Sequence, residues 1–463
     1  MDSSPMNVLL VSTYELGHQP FGLASPAAWI AERGHQVACT DLGVESLDAE
    51  RVRQADLVAF YLPMHTATRL AAKVIEKVRG LNGAAHICCY GLYAPLNETY
   101  LRNIGAGTIL GGEFEAGFVS LLERLQDGAS LQKEPLISLA RQQFLVPLRS
   151  GLPALDKYSR LQVGGSSKRA GYTETSRGCK HLCRHCPVVP VYQGSFRVVQ
   201  PEVVLADIRQ QVAAGAGHIS FGDPDFFNGP AHAMRIVEAL NREWPAVTYD
   251  ATIKIEHLLK HRELLPRLRE TGCLFVTSAV EAVDDAVLAK LDKGHTRADF
   301  IEVAREFRAV GLTLAPTFIP FTPWTTRESY GELLRLLMEL DLVENVAPVQ
   351  LALRLLIPRG SRLLELDDVQ AVIRFFDEPA LLYRWQHPDA RVDALAVEAL
   401  RIAAAHGLQS GGSRREIFGR LWNLVSERPL PADFYRTPPA AIPHMDEPWF
   451  CCAEPTEEQV AHL

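Results

Sequence analysis

Cys179, Cys183 and Cys186 lie at spacings of four and three residues in one short segment. Closely spaced thiolates of this kind hold iron–sulfur clusters. Three thiols on one loop would leave one iron of a four-iron cluster free to bind a substrate or cofactor. A zinc site is the competing interpretation, and it would need His181 or His185 as the fourth ligand. The position of the segment directly after a strand, where barrel enzymes carry their chemistry, favours the cluster.

A second group of thiols closes the chain, where Cys451 and Cys452 are adjacent in a proline-rich tail. Adjacent thiols can bind a soft element, form a strained vicinal disulfide or supply a thiol to a radical intermediate. An exposed pair without a role is the alternative. The four remaining cysteines are expected to pack in the core: Cys39, Cys88, Cys89 and Cys273.

The composition of the 463-residue chain is that of a globular protein with room for two or three domains. Its formal net charge of −8 provides no field for holding nucleic acid or an anionic membrane, so neither is expected as a partner. No stretch approaches the roughly 20 apolar residues of a membrane span. No secretory pattern precedes the odd total of nine cysteines. We therefore expect a cytoplasmic, reducing location.

Strand-like and helical segments alternate over residues 1–125, which predicts a Rossmann-like, doubly wound parallel sheet. Ligands bind such sheets at the carboxyl ends of the strands, which here are the loops 14–22, 63–66 and 91–95. Weak periodicity over residues 126–167 indicates a linker.

A second β/α series over residues 168–364 predicts a partial barrel with its chemistry at the carboxyl ends of the strands. The six predicted strands are 172–175, 218–221, 248–252, 273–278, 312–318 and 349–355. A helical region is predicted over 365–428, and the many prolines of 429–463 indicate a tail without regular helix or strand. The fold class is therefore α/β, with a doubly wound sheet, a partial (β/α)6 barrel and a helical C-terminal region.

The cysteine segment resembles the signature of the radical S-adenosylmethionine (SAM) superfamily, Cys-x3-Cys-x2-Cys after the first strand of a partial (β/α)6 barrel. The resemblance implies a 4Fe-4S cluster on Cys179, Cys183 and Cys186, with SAM on the free iron and reductive cleavage of SAM. It also implies that polar groups at the ends of later strands bind SAM: Gly222, Asp223, Asp225, Asp250, Lys254, Glu281 and Arg354.

Two positions depart from the pattern of this family. Gly222 and Asp223 stand where Gly-Gly-Glu is common, and His185 stands where an aromatic residue usually precedes the third cysteine. The polar residues also have structural interpretations. Asp223 and Asp225 suit helix capping, Glu281 suits the first turn of a helix, and Arg354 suits an interface ion pair.

The first domain resembles the cobalamin-binding domain that precedes many radical SAM barrels, in segments 62–68 and 111–114. The Asp-x-His-x-x-Gly motif of that family is missing, because Leu16 stands two residues before His18. The resemblance therefore implies either cobalamin bound without a protein nitrogen on cobalt, or a domain that only covers the barrel. A plain nucleotide-binding sheet is a further alternative, although no Gly-x-Gly-x-x-Gly follows the first strand.

The segment 449–455, Trp-Phe-Cys-Cys-Ala-Glu-Pro, resembles the tail that names the CUAEP/CCAEP-tail radical SAM proteins. Some of these carry selenocysteine at the second position, where this chain has Cys452.

These features predict a radical SAM enzyme acting on a small molecule, with Cys451 and Cys452 as catalytic residues. It would transfer a methyl group, or a carbon fragment such as the aminocarboxypropyl group of SAM to a soft element like arsenic or selenium. Cluster reduction implies an electron donor of the flavodoxin or ferredoxin type. The alternative is a zinc-stabilised cobalamin- or nucleotide-binding regulator without catalysis.

Overall fold

Apolar segments in the first third of the chain form a six-stranded, fully parallel sheet. The structure is a computed structural model that describes residues 4–129, 131–404, 413–436, 441–447, 454–455 and 459. The strands of this first sheet are β1 (Asn7–Ser12), β2 (Gln36–Asp41), β3 (Leu57–Tyr61), β4 (His86–Tyr90), β5 (Thr108–Gly112) and β6 (Ile137–Ser138). Their order is β2-β1-β3-β4-β5-β6.

Five helices connect these strands: α1 (Phe21–Glu32), α2 (Ala49–Gln54), α3 (His65–Leu81), α4 (Glu98–Asn103) and α5 (Glu115–Gln126). Apolar clusters lie on both faces of the sheet, as a parallel sheet covered by helices requires. The predicted doubly wound sheet is confirmed. Cys39, Cys88 and Cys89 are buried in it, with 4%, 0% and 0% of their surfaces exposed.

The second sheet curls through the middle of the chain in the order β14-β13-β12-β11-β8-β7-β17, in which β17 is the short strand His444–Met445. A separate two-stranded ribbon, β9 and β10, flanks the cysteine segment. The strands introduced here are β7 (Arg160–Val163), β8 (Ser166–Thr173), β9 (Ser176–Gly178), β10 (Phe196–Val198), β11 (His218–Phe221), β12 (Thr248–Thr252), β13 (Cys273–Glu281) and β14 (Thr313–Phe318). Strands β8 and β11 to β14 are parallel neighbours, whereas β7 pairs antiparallel with β8.

The helices of this part are α6 (Val189–Tyr192), α7 (Pro201–Ala213), α8 (Pro230–Glu243), α9 (Ile255–Lys260), α10 (Leu265–Glu270), α11 (Asp285–Leu291), α12 (Arg297–Val310) and α13 (Arg327–Glu339). The α/β class and the partial barrel are confirmed. Within the described residues, no helix is both long and apolar enough to cross a membrane.

The sixth predicted strand, 349–355, differs from the prediction. Pro348 opens a short 3-10 turn that ends at Leu351, and the segment pairs with the barrel only through a single bridge between Phe321 and Arg354. The side-chain oxygen of Gln350 accepts a hydrogen bond from Phe318 N at 2.8 Å. A side chain therefore satisfies part of the β14 edge that a sixth strand would have covered.

The segment 126–167, predicted as a linker, contributes a strand to each sheet, because β6 forms an edge of the first sheet and β7 pairs with β8 in the second. The C-terminal region is helical, as predicted, but it also contains an antiparallel hairpin. Its elements are α14 (Asp367–Val372), β15 (Ile373–Asp377), β16 (Leu382–Trp385), α15 (Ala390–Ala404) and α16 (Arg414–Val425). In the tail, the two-residue strand β17 (His444–Met445) pairs with β7, so this part of the tail is regular, contrary to the prediction.

Arg177 joins the two sheets through a buried ion cluster. Its guanidinium lies 2.7 Å from Glu174 and 2.7 Å from Glu115, the first residue of α5, and 3.6 Å from Glu113. The same group lies over the ring of Phe114, 4.8 Å from the ring centroid. Since Glu113 and Glu115 belong to the first domain and Arg177 to the cysteine segment, this cluster fixes one against the other.

Replacing Arg177 with Ala is expected to lower the free energy of unfolding by about 3–5 kcal/mol, because it leaves buried carboxylates without their counter-charge. Guanidinium denaturation of the cluster-free protein measures this change. Arg209→Ala is the matched control, since Arg209 pairs with Glu243 on the surface and should cost at most about 1 kcal/mol. Equal losses in the two variants would contradict a buried hub at Arg177.

Candidate active site

The cysteine segment starts at the carboxyl end of β8, and Asp223 holds its first residues in place. Asp223 follows β11 and is buried, with 2% of its surface exposed. Its carboxylate accepts hydrogen bonds from Thr175 N at 2.9 Å, Thr175 Oγ1 at 2.7 Å and Ser176 Oγ at 2.6 Å. Burial raises the pKa of Asp223 to about 6, against the lowering effect of these bonds. Asp223 therefore fixes the start of the loop.

The three thiols lie side by side in largely buried surroundings, and Cys183 is itself buried. Burial raises the pKa of the Cys179 thiol to about 11 and that of Cys186 to about 12. Thiolates are the form that binds metal, so a cationic metal group must offset the cost of their charge here.

His181, which lies between Cys179 and Cys183 in the sequence, belongs to a compact group of possible metal ligands. Among the described residues, the one group of three or more His, Cys, Asp or Glu ligand atoms that all lie within 4.8 Å is His181, Asp225 and His257.

A buried charged network lies beside Cys183 and Cys186. Lys293 Nζ contacts Glu281 at 3.3 Å, and His185 Nε2 contacts the same carboxylate oxygen at 3.1 Å. Although burial alone raises it, the pKa of Glu281 falls to about 2 because of Lys293 and His185. Burial alone lowers the pKa of Lys293, but Glu281 and the two thiols raise it above its ordinary value. A permanently charged ammonium group therefore faces the cluster ligands.

A second chain of contacts crosses the loop between Cys179 and Cys183. Lys254 Nζ lies 3.1 Å from His181 Nδ1, and His181 Nε2 lies 3.2 Å from His257 Nε2. His257 Nδ1 in turn lies 2.6 Å from Asp225 Oδ2. These contacts are compatible when His181 carries its proton on Nε2 and His257 on Nδ1. Lys254 and Asp225 therefore both help to hold His181 of the cysteine loop in place, Lys254 directly and Asp225 through His257. Asp225 also caps a short turn by accepting from Phe227 N at 3.1 Å.

Three further residues expected to bind SAM have other surroundings. Gly222 is required by packing, because a Cβ there would lie 2.1 Å from the hydroxyl of Tyr172. Asp250, on β12, accepts from Ser220 Oγ at 2.6 Å and contacts His218 Nε2 at 2.8 Å.

Arg354 is directed to the C-terminal region. It donates to Asp393 at 2.6 Å and stacks on Trp385, with 3.7 Å between its guanidinium carbon and the ring centroid. The interface ion pair considered for Arg354 is therefore present, whereas its role in SAM binding stays a prediction.

The sequence interpretation did not find Lys293 and His257 as site residues, and it missed His295. His295 is buried near Lys293, Lys254 and Glu281, and burial together with the two lysines lowers its pKa to about 4. It makes no hydrogen bond to another side chain among the described residues. A Gly-His pair after a helix was the only local signal, and it has no specific meaning without the fold.

The carboxyl edge of the first sheet faces the barrel. His18 stacks on Tyr172 of β8, with 4.6 Å between ring centroids, and burial lowers the pKa of His18 to about 4. Glu15 Oε2 and His65 Nδ1 are buried without hydrogen-bond partners among the described residues. Burial raises the pKa of Glu15 well above its ordinary value.

Comparison with known families identifies the barrel. The profile of the radical SAM superfamily matches residues 173–337, which include the cysteine loop and both charged networks. The barrel of this chain is therefore similar to the radical SAM superfamily.

Two curated relatives are transferases. The hopanoid C-3 methylase of Methylococcus capsulatus is 28% identical over 344 residues, 71% of this chain and 66% of the methylase. The ribosomal protein uS12 methylthiotransferase RimO of Syntrophotalea carbinolica is 28% identical over 203 residues, 41% of this chain and 44% of that protein. The chain thus spans less than two thirds of the length of these relatives. The expectation of a transferase-like radical SAM enzyme agrees with the superfamily match and with these two relatives.

Solved structures support the two-part fold. The cobalamin-dependent SAM radical enzyme OxsB, with aqua-cobalamin bound, covers 85% of this chain with a TM-score of 0.65 at 15% identity, over 66% of its own length. The radical SAM methyltransferase TsrM of Kitasatospora setae, with cobalamin and a [4Fe-4S] cluster bound, covers 73% of this chain and 71% of its own, with a TM-score of 0.56 at 16% identity. The expected cobalamin-binding-like first domain is therefore confirmed as a fold.

The residues present fit the cofactors that the family implies, a 4Fe-4S cluster and SAM. Cys179, Cys183 and Cys186 would hold the cluster. His295, without a side-chain partner, fits a polar ligand such as SAM at the carboxyl end of the barrel. The unpartnered atoms of Glu15 and His65 likewise fit a polar ligand such as cobalamin between the two sheets. The stacking of His18 on Tyr172 agrees with cobalamin bound without this imidazole.

Replacing any one of Cys179, Cys183 or Cys186 with Ala is expected to abolish formation of 5′-deoxyadenosine, because each substitution would remove one cluster ligand. Anaerobic reconstitution followed by iron analysis and chromatography of the SAM products checks this. Cys273→Ala, at a buried position of β13, should retain both iron and turnover. Full turnover in the three loop variants would place the cluster elsewhere.

Replacing Lys293 with Gln is expected to make the cluster harder to reduce, because a buried positive charge beside Cys183 and Cys186 stabilises the more negative, reduced state. A redox titration followed by electron paramagnetic resonance measures the midpoint potential, which should become more negative. Lys293→Arg should preserve it. Lys290→Gln is the control, since Lys290 pairs with Asp368 near the surface. An unchanged potential in a Lys293→Gln protein with full iron content would refute the prediction.

Proposed function

We propose that this chain is a cobalamin-dependent radical SAM enzyme that cleaves SAM reductively and transfers a methyl group or another carbon fragment to a small molecule. The observation that supports it most is that two ligand-binding edges face each other. The three-thiol loop lies at the carboxyl end of the barrel, and Arg177 fixes that loop to Glu113 and Glu115 at the carboxyl end of β5.

Bound together, the cluster, SAM and cobalamin would supply a one-electron cleavage of SAM and a carrier for a carbon group. The protein residues position and enclose these groups. Asp223 orients the start of the loop, and Lys293 balances the negative charge of the thiolates. Tyr172 and His18 close the contact between the two sheets with stacked rings, which limits access of water at that point.

We include Cys451 and Cys452 in this proposal as the residues that hold the acceptor. Both lie outside the described residues, so the support comes from their chemistry. Soft elements such as trivalent arsenic or selenium bind to thiols in preference to hard oxygen ligands, and two adjacent thiols offer them two ligands. We therefore propose an acceptor of this class, with transfer of the methyl or aminocarboxypropyl group of SAM as the two forms of the reaction.

A cluster that must be reduced before each cleavage needs a one-electron donor, and a flavodoxin or ferredoxin is the proposed partner. Thiols that must stay reduced also suit a cytoplasmic location. The zinc-stabilised regulator is not favoured, since His181 and His185 both have other partners and the two relatives described above are named as a methylase and a methylthiotransferase.

The joint replacement of Cys451 and Cys452 by Ser is expected to leave SAM cleavage without acceptor intact and to abolish product formation. Arsenite is the probe acceptor, and SAM labelled in either the methyl or the aminocarboxypropyl carbons reports which fragment moves. Arsenite affinity should fall at least about tenfold, because the two-point attachment is lost.

The double variant Cys88→Ala and Cys89→Ala is the matched control, since these cysteines are also adjacent but fully buried in β4. It should bind arsenite as the native protein does. Normal product from the Cys451 and Cys452 variant would remove the tail from the mechanism.

A further inference from the structure

The parallel strands of the barrel turn one face toward its interior. Along β12 and β14, buried residues alternate with half-buried ones, as the side chains of a strand alternate between its two faces. The buried residues Tyr249 and Ala251 of β12 belong to the large apolar core that also contains α8, so they face the helices. The half-buried set lines the interior, which we call the lumen: Thr248, Asp250, Thr252, Thr313, Ala315 and Thr317. Solvent therefore reaches the lumen, and its lining is mostly polar.

Asp250 is the charged residue of this set, and its two oxygens have different surroundings. Oδ1 accepts a hydrogen bond from Ser220 Oγ at 2.6 Å and lies 2.8 Å from His218 Nε2. A carboxylate accepts but cannot donate, so His218 carries a proton on Nε2. Oδ2 has no hydrogen-bond partner among the described residues. Since 13% of the Asp250 side chain is exposed and none of the His218 side chain, the second oxygen is available to a ligand in the lumen.

The two donors of Oδ1 are themselves held in place. Thr248 Oγ1 lies 2.9 Å from His218 Nδ1 and can donate to it, so the imidazole is satisfied without a second proton. The ring of His218 lies nearly parallel to that of Phe275, with 6.2 Å between centroids. Ser220 Oγ also lies 3.9 Å from Met445 Sδ of β17. Side chains from four strands thus fix the orientation of the Asp250 carboxylate.

Asp250 lacks the cationic partner that other buried acids have. Glu281, for example, pairs with the buried Lys293, whereas no lysine or arginine among the described residues pairs with Asp250. The nearby His18 does not supply the charge, because burial lowers its pKa to about 4 and the ring is neutral at pH 7. A carboxylate in such surroundings is costly without a counter-charge. A cationic donor in the lumen would therefore gain both an ion pair and a hydrogen bond.

Asp250 also lies deeper in the barrel than the cysteine loop. Lys254, which contacts His181 of that loop, is four residues further along the chain, about 13 Å in extended backbone. The carboxylate is thus well separated from the groups that surround the cluster ligands.

We propose that Asp250, held by His218 and Ser220, binds the protonated amine of the small-molecule substrate in the lumen. The amine anchors the molecule and is not the atom that receives the carbon fragment, so the assignment is compatible with both forms of the transfer. The subsite rests on contacts in the structure, and only the role of its ligand as the substrate rests on the function proposed above.

Binding of small ammonium ions to the anaerobically reconstituted full chain tests the subsite. Methylammonium, isobutylammonium and benzylammonium are each compared with the alcohol of the same carbon skeleton by saturation-transfer NMR titration. One or more of these ions should bind at least about tenfold more tightly than its alcohol, the scale of a hydrogen bond to a charged group. Equal affinities within all three pairs would overturn the subsite, and this comparison needs no variant.

Asp250→Asn keeps an acceptor for Ser220 and His218 but removes the charge, so it should abolish the preference for ammonium ions. Ser220→Ala keeps the charge and should retain the preference. Asp389→Asn is the matched control, because Asp389 pairs with Arg391 on the surface, and it should change nothing. An unchanged preference in Asp250→Asn would place the amine elsewhere.

The dissociation constant of SAM in the same variants separates this subsite from the SAM site. Because SAM also carries an amine, equal losses of SAM and ammonium affinity in Asp250→Asn would assign the carboxylate to SAM and overturn the substrate role.

Labelled SAM is then incubated with the native chain and the low-molecular-weight fraction of a cell extract, before and after acetylation of its amines. Acetylation should abolish transfer of the label, and transfer that survives it would overturn an amine-bearing substrate. The absence of transfer from both fractions would contradict the function proposed above, and the ammonium measurement would still decide whether Asp250 forms the subsite.

Discussion

The buried guanidinium of Arg177 is the interaction on which the arrangement of the active parts depends. It lies two residues before Cys179 and forms ion pairs with Glu115 from the first domain and Glu174 from the end of β8. Such a group is costly to bury unless all its partners are present. The ion pairs of Arg177 are therefore favourable in only one relative placement of the two sheets. The cysteine loop gains a fixed orientation toward the first domain from the same contacts.

Asp223 also fixes the start of the cysteine loop, through hydrogen bonds to Thr175 and Ser176. Family resemblance assigns its segment to SAM binding, but the structure shows three hydrogen bonds to Thr175 and Ser176. With these bonds formed, its two oxygens have limited capacity left for a ligand. Gly222 before it is explained by the packing of Tyr172. A departure from the common Gly-Gly-Glu pattern is thus accompanied by a local structure that uses the acid for orientation of the loop.

Local patterns were sufficient to predict the alternating sheets, the loop of three thiols and the burial of Cys39, Cys88 and Cys89, since each depends on a few neighbouring residues. Contacts between distant segments were not predictable. Glu281 is the last residue of β13 and Lys293 follows α11, so the two side chains meet only because the chain after α11 returns to the end of β13. The absence of a sixth strand could not be predicted either, because the apolar residues after Pro348 have the periodicity of a strand. In the structure, the side chain of Gln350 accepts the hydrogen bond from Phe318 N that a sixth strand would have accepted.

The tail shows why a composition argument alone is incomplete. Its prolines exclude long regular elements, and ordering each residue costs about 1–2 kcal/mol of conformational entropy. Glu447 and Glu454 offset this cost at two points, through Tyr14 and through the basic site of His65, Arg69 and Arg384. Partly exposed ion pairs contribute only about 0–1 kcal/mol each. The attachment is therefore weak enough to be reversible.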